Sequence, residues 1–402
     1  MTMTALPSAL GDGGLILAEA ARPESRQPSL DRGAGAVLSR VESFDRRLVM
    51  SLKFGLFWGL RAPPEYGRPA VENYANIAHV AEYAEELGYD SCFFIEHHFS
   101  EDSECPSPVV VAAAAAARTE RILLGTGVLL LPLYEPVKLA EDVAVVDNIS
   151  RGRFVLGVGM GYRQYEYDGL GVPMSHRPSR FEEAVELLRR CWTEESVTFE
   201  GRRFRTIGAR VMPRPVQQPH PPIWVGATSR PAVLRAARLG LPLLIGPVAF
   251  PLAKRARELW KEQMQASGHS LDSLPMPLMR YGYIAESDER AWEEAGPYIV
   301  AHFKKAYLPY GGLWAQDPQT GRWGAVYDPD HPVFQNEGRG LIPERLLLGS
   351  PDTVIKEIER FQRETEFDHL MVSLEWGGMD PAKTRKAMEL FAREVIPHFK
   401  RR

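Results

Sequence analysis

The sequence predicts an α/β fold in which eight strand–helix units close into a (β/α)8 TIM barrel with insertions, including a long one after strand seven. Three observations carry this. From Leu52 almost to the carboxyl terminus, short apolar runs alternate with segments of helical spacing. Ser91 to Ile95 is a short apolar and aromatic run of the kind that makes a strand buried on both faces. The tally closes at eight strands and eight helices only if residues 288–345 are an insertion between strand seven and its own helix.

Leu52 to Leu60 is the first apolar run, and Val71 to Leu87 follows with Tyr74, Ile77, Val80, Ala81 and Ala84 on one helical face and Gly88 as its C-cap. The second unit is Ser91 to Ile95, then Glu96-His97-His98, then the helix entry Pro106-Ser107-Pro108 and the helix former Val109 to Ala117. Arg121 to Leu131 is the third strand, with helix Val137 to Ile149. Arg153 to Val158 is the fourth, with helix Arg180 to Trp192 and Ser179 as its N-cap. Residues 197–219 mix Gly, Arg and Pro with β-prone pieces. They read as a hairpin-type insertion at the amino-terminal face, because they follow a helix.

Ile223 to Val225 opens strand five and Ala232 to Leu239 is its helix. Leu241 to Gly246 and Leu252 to Ala266 form the sixth pair, and Leu278 to Ala285 is strand seven. The insertion holds a helical piece, Asp288 to Tyr307, and a loop, Leu308 to Arg345. Thr353 to Glu364, strand His369 to Trp376 and helix Pro381 to Phe399 complete the chain. Residues 1–48 lack periodicity and read as a flexible leader before a single domain at 49–402, with Met50 a candidate start of translation. An insertion after strand seven emerges at the carboxyl-terminal face, so 288–345 is a candidate active-site lid.

Composition narrows the function. The 402 residues are 45% apolar and 25% charged with a net charge of -4, which offers no polyelectrolyte surface for nucleic acid. No apolar stretch is long and pure enough to span a bilayer, so no membrane partner is expected. Cys92, Cys105 and Cys191 form neither a CxxC nor a zinc pattern; a reducing, cytoplasmic setting and no metal follow as expectations.

Three strand ends carry candidate chemistry. Glu96, His97 and His98 place ionisable groups where a buried strand surfaces, the end at which α/β folds collect their chemistry. Read from the residues alone, they serve equally well as satisfied polar groups. Gly157-Val158-Gly159-Met160-Gly161-Tyr162 ends strand four with glycines that strip side chains from one face, making room for a planar ligand. It is not a dinucleotide fingerprint, since the third glycine and the later acidic residue are missing. Gly226-Ala227-Thr228-Ser229 joins strand five to its helix, where amides and hydroxyls suit a phosphate or simply cap the helix, and Gly246-Pro247 ends strand six nearby.

The chain resembles the bacterial luciferase-like flavin-dependent monooxygenases. The matching runs are FFIEHHF at 93–99, AARTERILLGTGVLLLP at 116–132, LAEDVAVVDNISRGRFVLGVGMGY at 139–162 and PPIWVGATS at 221–229. GSPDTVIKEI at 349–358 and DHLMVSLEW at 368–376 also fit. The resemblance implies reduced FMN (FMNH2), made by a separate flavin reductase that docks transiently, reacting with O2 through a peroxyflavin to oxygenate a small organic substrate. It aligns His97 with the catalytic histidine, with Glu96 and His98 in support, and implies a homodimer.

The resemblance also implies a non-proline cis peptide at Gly127–Val128 against the flavin ring, with Gly159, Met160, Tyr162, Gly226, Ala227, Thr228, Ser229 and Gly246 around the cofactor. Luciferase has an arginine for the flavin phosphate where this chain has Met160, which leaves Arg163, Arg177 and Arg230 as basic alternatives. Phe57, Trp58, Tyr134, Tyr162 and Trp376 are candidates to line the substrate pocket. Two other readings stand beside the monooxygenase. One is a deazaflavin-dependent oxidoreductase transferring hydride; the other is a non-catalytic subunit of a luciferase-type pair.

Overall fold

The computed structural model describes residues 52–67, 69–310, 312–316 and 323–400. The expected leader and the alternative start at Met50 lie outside the described residues.

The chain folds as an α/β structure around one parallel sheet. Strands run Lys53–Trp58, Ser91–Phe94, Leu123–Thr126, Phe154–Gly159, Ile223–Gly226 and Leu243–Leu244 in neighbouring order, with a helix between each and the next. Pro277–Ile284 and His369–Ser373 complete the sheet, the latter pairing with both Pro277–Ile284 and Lys53–Trp58. A parallel bridge between Ile245 and Leu278 joins the sixth strand to the seventh, so the order returns on itself. These strands are buried almost end to end because side chains on one face meet inside the ring and those on the other meet helices.

The helices fall close to their sequence positions, at Ala70–Glu86, Pro108–Ala116, Pro136–Ile149, Arg177–Thr193, Arg230–Arg238, Phe250–Ala266, Pro351–Thr365 and Pro381–Leu390. Among the described residues, no helix is long and apolar enough to cross a membrane. Three details differ from the sequence reading. The third strand is not continuous: it breaks after Thr126 and resumes as Leu129–Leu130 beside Val158 and Gly159. Ser179 is not an N-cap, because the helix already starts at Arg177, with Pro178 in a first turn that needs no N–H from it. Leu346–Gly349, unassigned from sequence, is a further parallel strand on the outer half of Pro277–Ile284.

Val197–Glu200 and Arg205–Ala209 form the expected antiparallel hairpin. Its following loop ties to the amino-terminal end of strand four, where Gln217 donates to the Phe154 carbonyl at 2.7 Å and to Asp147 at 2.6 Å. After strand seven, Asp288–His302 is a helix with Pro297 in its interior that buries Ala291, Trp292, Ala295 and Ile299. Beyond it, Phe303–Tyr310 meets strand seven and the loop after strand four through Tyr307 with Tyr281 and the Ala306 carbonyl with Arg163, and Trp314–Gln316 pairs with Trp323–Ala325 in a short antiparallel hairpin.

The opposite end of the ring holds a buried histidine. Gly55 has no side chain because a Cβ there would lie 1.9 Å from Ser91 Oγ; that hydroxyl instead meets His369 Nε2 at 2.7 Å. His369 is 3% exposed and edge-on to Phe93 and Trp224. Burial, aided by Lys53, pushes its pKa down to about 3. Above the unfolded value of 6.5 both states are neutral; below it only the unfolded chain takes the proton. Stability should therefore fall with pH, by about 1.4 kcal/mol per unit from this group, throughout the interval from 6.5 toward 3. Urea unfolding at several pH values checks this: His369→Gln should flatten the slope by that amount, and equal slopes would refute it.

Candidate active site

Strand two ends at Phe94, and the next turn carries the first cluster. Glu96 is buried and accepts three hydrogen bonds: from His98 Nε2 at 2.6 Å, the Leu130 amide at 2.7 Å and the Tyr134 hydroxyl at 2.9 Å. It thus ties the end of strand two to the segment just beyond the break in strand three. Burial, then the Glu96 carboxylate, push the Tyr134 phenol up, so that hydroxyl stays a donor.

His97 has a different partner. Its Nδ1 lies 2.8 Å from Glu166 Oε1, which also accepts the His98 amide at 3.1 Å. A carboxylate only accepts, so Nδ1 carries the proton in the neutral ring and Nε2 remains a proton acceptor. The Tyr162 ring stands edge-on to the imidazole, with centroids 5.9 Å apart, and is itself 40% exposed.

Sequence reasoning missed Glu166, which lies on the short helix Gln164–Gly169 with a fully buried side chain. The signal available was an acidic residue one turn beyond Tyr162, in the loop at the chemical end of strand four. Glu166→Gln should leave the chain folded and slow product formation about tenfold to a hundredfold, the usual cost of loosening a support behind an imidazole. Steady-state product assays check this; an unchanged rate would remove Glu166 from the mechanism.

A second cluster joins the loops to helix Asp288–His302 and to Phe303–Tyr310, the covering segment of the candidate lid. Arg61 pairs with Asp102 and also contacts Nδ1 of His302, the last residue of helix Asp288–His302. His302 is enclosed by Tyr281, Trp376 and Tyr307, with ring centroids 5.0–5.4 Å away. Burial, then the charges of Arg61, Arg163 and His97, push its pKa well below the ordinary value, so it is neutral. Tyr281 and Tyr307 share a 3.0 Å hydrogen bond between hydroxyls. A cavity of about 620 Å³ opens above, lined among others by Arg61, Asp102, Glu104, Arg163, Tyr165 and Tyr310.

The expected cofactor residues gather at the ends of strands three to six. The Gly127–Val128 peptide is cis. The space beside Gly157 and Gly159 is filled by protein, not left for a ligand: a Cβ on Gly157 would lie 1.9 Å from the Thr126 carbonyl oxygen. A Cβ on Gly159 or Gly226 would lie 2.6 Å from the Val128 side chain. These glycines admit a neighbouring strand. Gly246 differs, since a Cβ there would meet nothing within 4 Å.

Ala227 is buried, and Ser229 stands at the N-cap of Arg230–Arg238 without a side-chain cap bond. Met160 offers no charge; its carbonyl accepts from Tyr167, and Arg235 Nη1 lies 3.5 Å from its sulfur while Arg235 Nε pairs with Glu182 at 2.6 Å. Arg163 is buried and engaged by Glu104 and the Ala306 carbonyl, which removes it from the phosphate alternatives.

The candidate pocket aromatics divide. Phe57 and Trp376 pack on Tyr281 inside the ring, at 5.3 and 5.2 Å. Tyr134 is spent on Glu96. Trp58 lines a separate cavity of about 290 Å³ between helices Ala70–Glu86 and Pro381–Leu390.

The alkanal monooxygenase alpha chain of Photorhabdus luminescens is 25% identical over 87% of this chain and 97% of its own length. The crystal structure of monooxygenase RslO1 from Streptomyces bottropensis matches with a TM-score of 0.75 and 27% identity, covering 87% of this chain and all of that one. Two more structures, each 22% identical over 87% of this chain, share the fold. One is the oxygenating constituent of 3,6-diketocamphane monooxygenase from Pseudomonas putida in complex with FMN (TM-score 0.71, 99% of that chain). The other is the coenzyme F420-dependent tetrahydromethanopterin reductase from Methanopyrus kandleri (TM-score 0.68, 100% of that chain). The family model for luciferase-like monooxygenases matches residues 52–369, and the chain belongs to that family.

Proposed function

We propose that this chain is a flavin-dependent monooxygenase that takes reduced FMN from a separate reductase and, with O2, oxygenates a small organic substrate. The observation that carries the reading is His97, held at the end of strand two by a fully buried carboxylate with its second ring nitrogen left as an acceptor. A subunit that only supports an active partner would not need that arrangement.

Reduced FMN, when bound, supplies the electrons that activate oxygen. The residues fit such a group. The Thr228 and Ser229 hydroxyls make no hydrogen bond among the described residues, and they sit at the amino end of a nine-residue helix, where an anion is favoured. Arg177 and Arg230 form no ion pair among the described residues and are the basic partners for a phosphate. The role of His97 is to hold a proton and return it; that of Glu166 and Tyr162 is to fix the imidazole. We read the ring as a (β/α)8 barrel with residues 288–345 as the insertion after strand seven, its later part acting as a lid that excludes water.

The reading with a reduced deazaflavin is favoured by one feature, the uncharged Met160 where luciferase has its phosphate arginine. Anaerobic titration of the purified chain separates the two. Reduced FMN should bind at least about tenfold more tightly than reduced F420, a difference of about 1.4 kcal/mol. Stronger binding of F420 would overturn the choice of cofactor, and no oxygenated product from a panel of aldehydes, ketones and aromatics with the FMN reductase present would overturn the reaction.

A further inference from the structure

Arg163 was an attractive phosphate ligand in the sequence, and its actual surroundings give it other work. The side chain is 3% exposed. Nη1 lies 3.3 Å from Glu104 Oε2, 3.1 Å from the Tyr165 hydroxyl and 3.8 Å from Glu166 Oε1. Nη2 donates to the Ala306 carbonyl at 3.4 Å, and the guanidinium lies over the Tyr310 ring at 5.0 Å. Ala306 and Tyr310 belong to the covering segment, whereas Glu166 Oε1 is the atom that holds His97. A single planar cation therefore touches both the support of the imidazole and the segment that closes over it.

We propose that Arg163 is a positioning residue that couples the covering segment to His97 through Glu166. The inference rests on the reading of His97 as the proton-handling group. Glu166 Oε1 already accepts from His97 and His98, while its Oε2 and the Arg163 Nε are buried without a hydrogen-bond partner among the described residues. The pair is thus incompletely engaged, at 3.8 Å, and each member keeps a spare site for a closer contact. When Ala306 holds the guanidinium beside Glu166, the carboxylate divides its charge between Arg163 and the imidazole. When the segment lifts, that share returns to His97, which then keeps its proton more firmly. Closure lowers the hold on the proton, and by linkage the state of His97 biases closure.

The charged and titratable groups around His97 set what a test must separate. Glu166 faces it from its short helix, Tyr162 and Arg163 from the residues before that helix, and His302 from the helix that precedes the covering segment. Glu96 and His98 flank it on its own turn and are paired with each other.

The experiment uses the full chain without flavin or substrate, so its outcome is independent of turnover. Histidine NMR follows the His97 ring through pH, its signal identified by loss in His97→Gln. Arg163→Met should move the titration midpoint upward by about one unit, a tenfold change in proton affinity, and Arg163→Lys should restore most of it. In a chain carrying Glu166→Gln the same Arg163→Met change should shift the midpoint by less than about a third as much. Hydrogen exchange at residues 303–310 should be at least about tenfold faster in Arg163→Met.

A shift below about 0.3 unit, or one undiminished by Glu166→Gln, would overturn the coupling through Glu166. Unchanged exchange at 303–310 would overturn the link to the covering segment. Arg163→Met leaves Glu104 buried without its cation; if that chain does not fold, Arg163→Met with Glu104→Gln removes both charges and is read in the same two ways. Loss of product formation in His97→Ala, by contrast, tests the underlying reading alone.

Discussion

Replacing His97 by alanine is expected to cut product formation at least about a hundredfold, the usual scale of general acid–base assistance, while oxygen is still consumed. The reducing equivalents should then leave as hydrogen peroxide. The reason is local. Truncation at Cβ removes the proton-holding ring but leaves Glu166, Tyr162 and the backbone of strand two in place, so the chain should fold and retain most of its affinity for reduced FMN. His98→Ala should do less, because His98 spends its ring on Glu96 and only its amide reaches Glu166. Rapid mixing of the reduced complex with oxygen, with product and peroxide both quantified, gives the answer. Normal coupling in His97→Ala with loss in His98→Ala would exchange the two roles. No change in either would make this strand end structural.

Glu96→Ala is expected to produce the largest loss of stability at the site, about 3–5 kcal/mol. The carboxylate is buried and receives the Leu130 amide, the Tyr134 hydroxyl and the His98 ring, so its removal strands three donors away from water. At about 2–4 °C per kcal/mol for a chain of this size, the melting temperature should fall by roughly 6–20 °C. Glu96→Gln keeps an acceptor oxygen and should lose much less. Thermal and urea unfolding of the three chains checks this; a Glu96→Ala chain within about 1 kcal/mol of the parent would show that the strand ends are locked by other contacts.

The alternation of strands and helices was legible because it is written locally, in runs of four to nine apolar residues and in helical spacing. The hairpin after residue 197 was legible for the same reason, and so was the acidic and imidazole edge at 96–98. What joins the parts was not legible. Glu166 lies 69 residues from His97, and although its place just beyond strand four marks it as a candidate for chemistry, nothing local shows which imidazole it supports. The glycines of strand four looked like a floor for a ligand, yet Thr126 at the end of strand three and Val128 in the break after it occupy the space beside Gly157 and Gly159. A one-dimensional pattern reports that a side chain is missing, not what moves in. The strand Leu346–Gly349 was missed because four apolar residues in a loop-rich stretch have no periodicity until strand seven offers them a partner.

The contact between Arg61 and His302 spans 241 residues. At the pace of protein synthesis, about 5–20 residues per second, Arg61 waits roughly 12–50 s after it is made before its partner exists. During that time the chain can build its first strands and helices, but Arg61 has no His302 to meet and the proposed lid is still unmade. The segment Phe303–Tyr310 is made after strand seven and before strand eight, which pairs with both strand seven and strand one. If the chain uses reduced flavin as proposed, a half-made copy lacks the enclosed place in which that flavin would meet oxygen, and the order of translation keeps the proposed chemistry to finished copies.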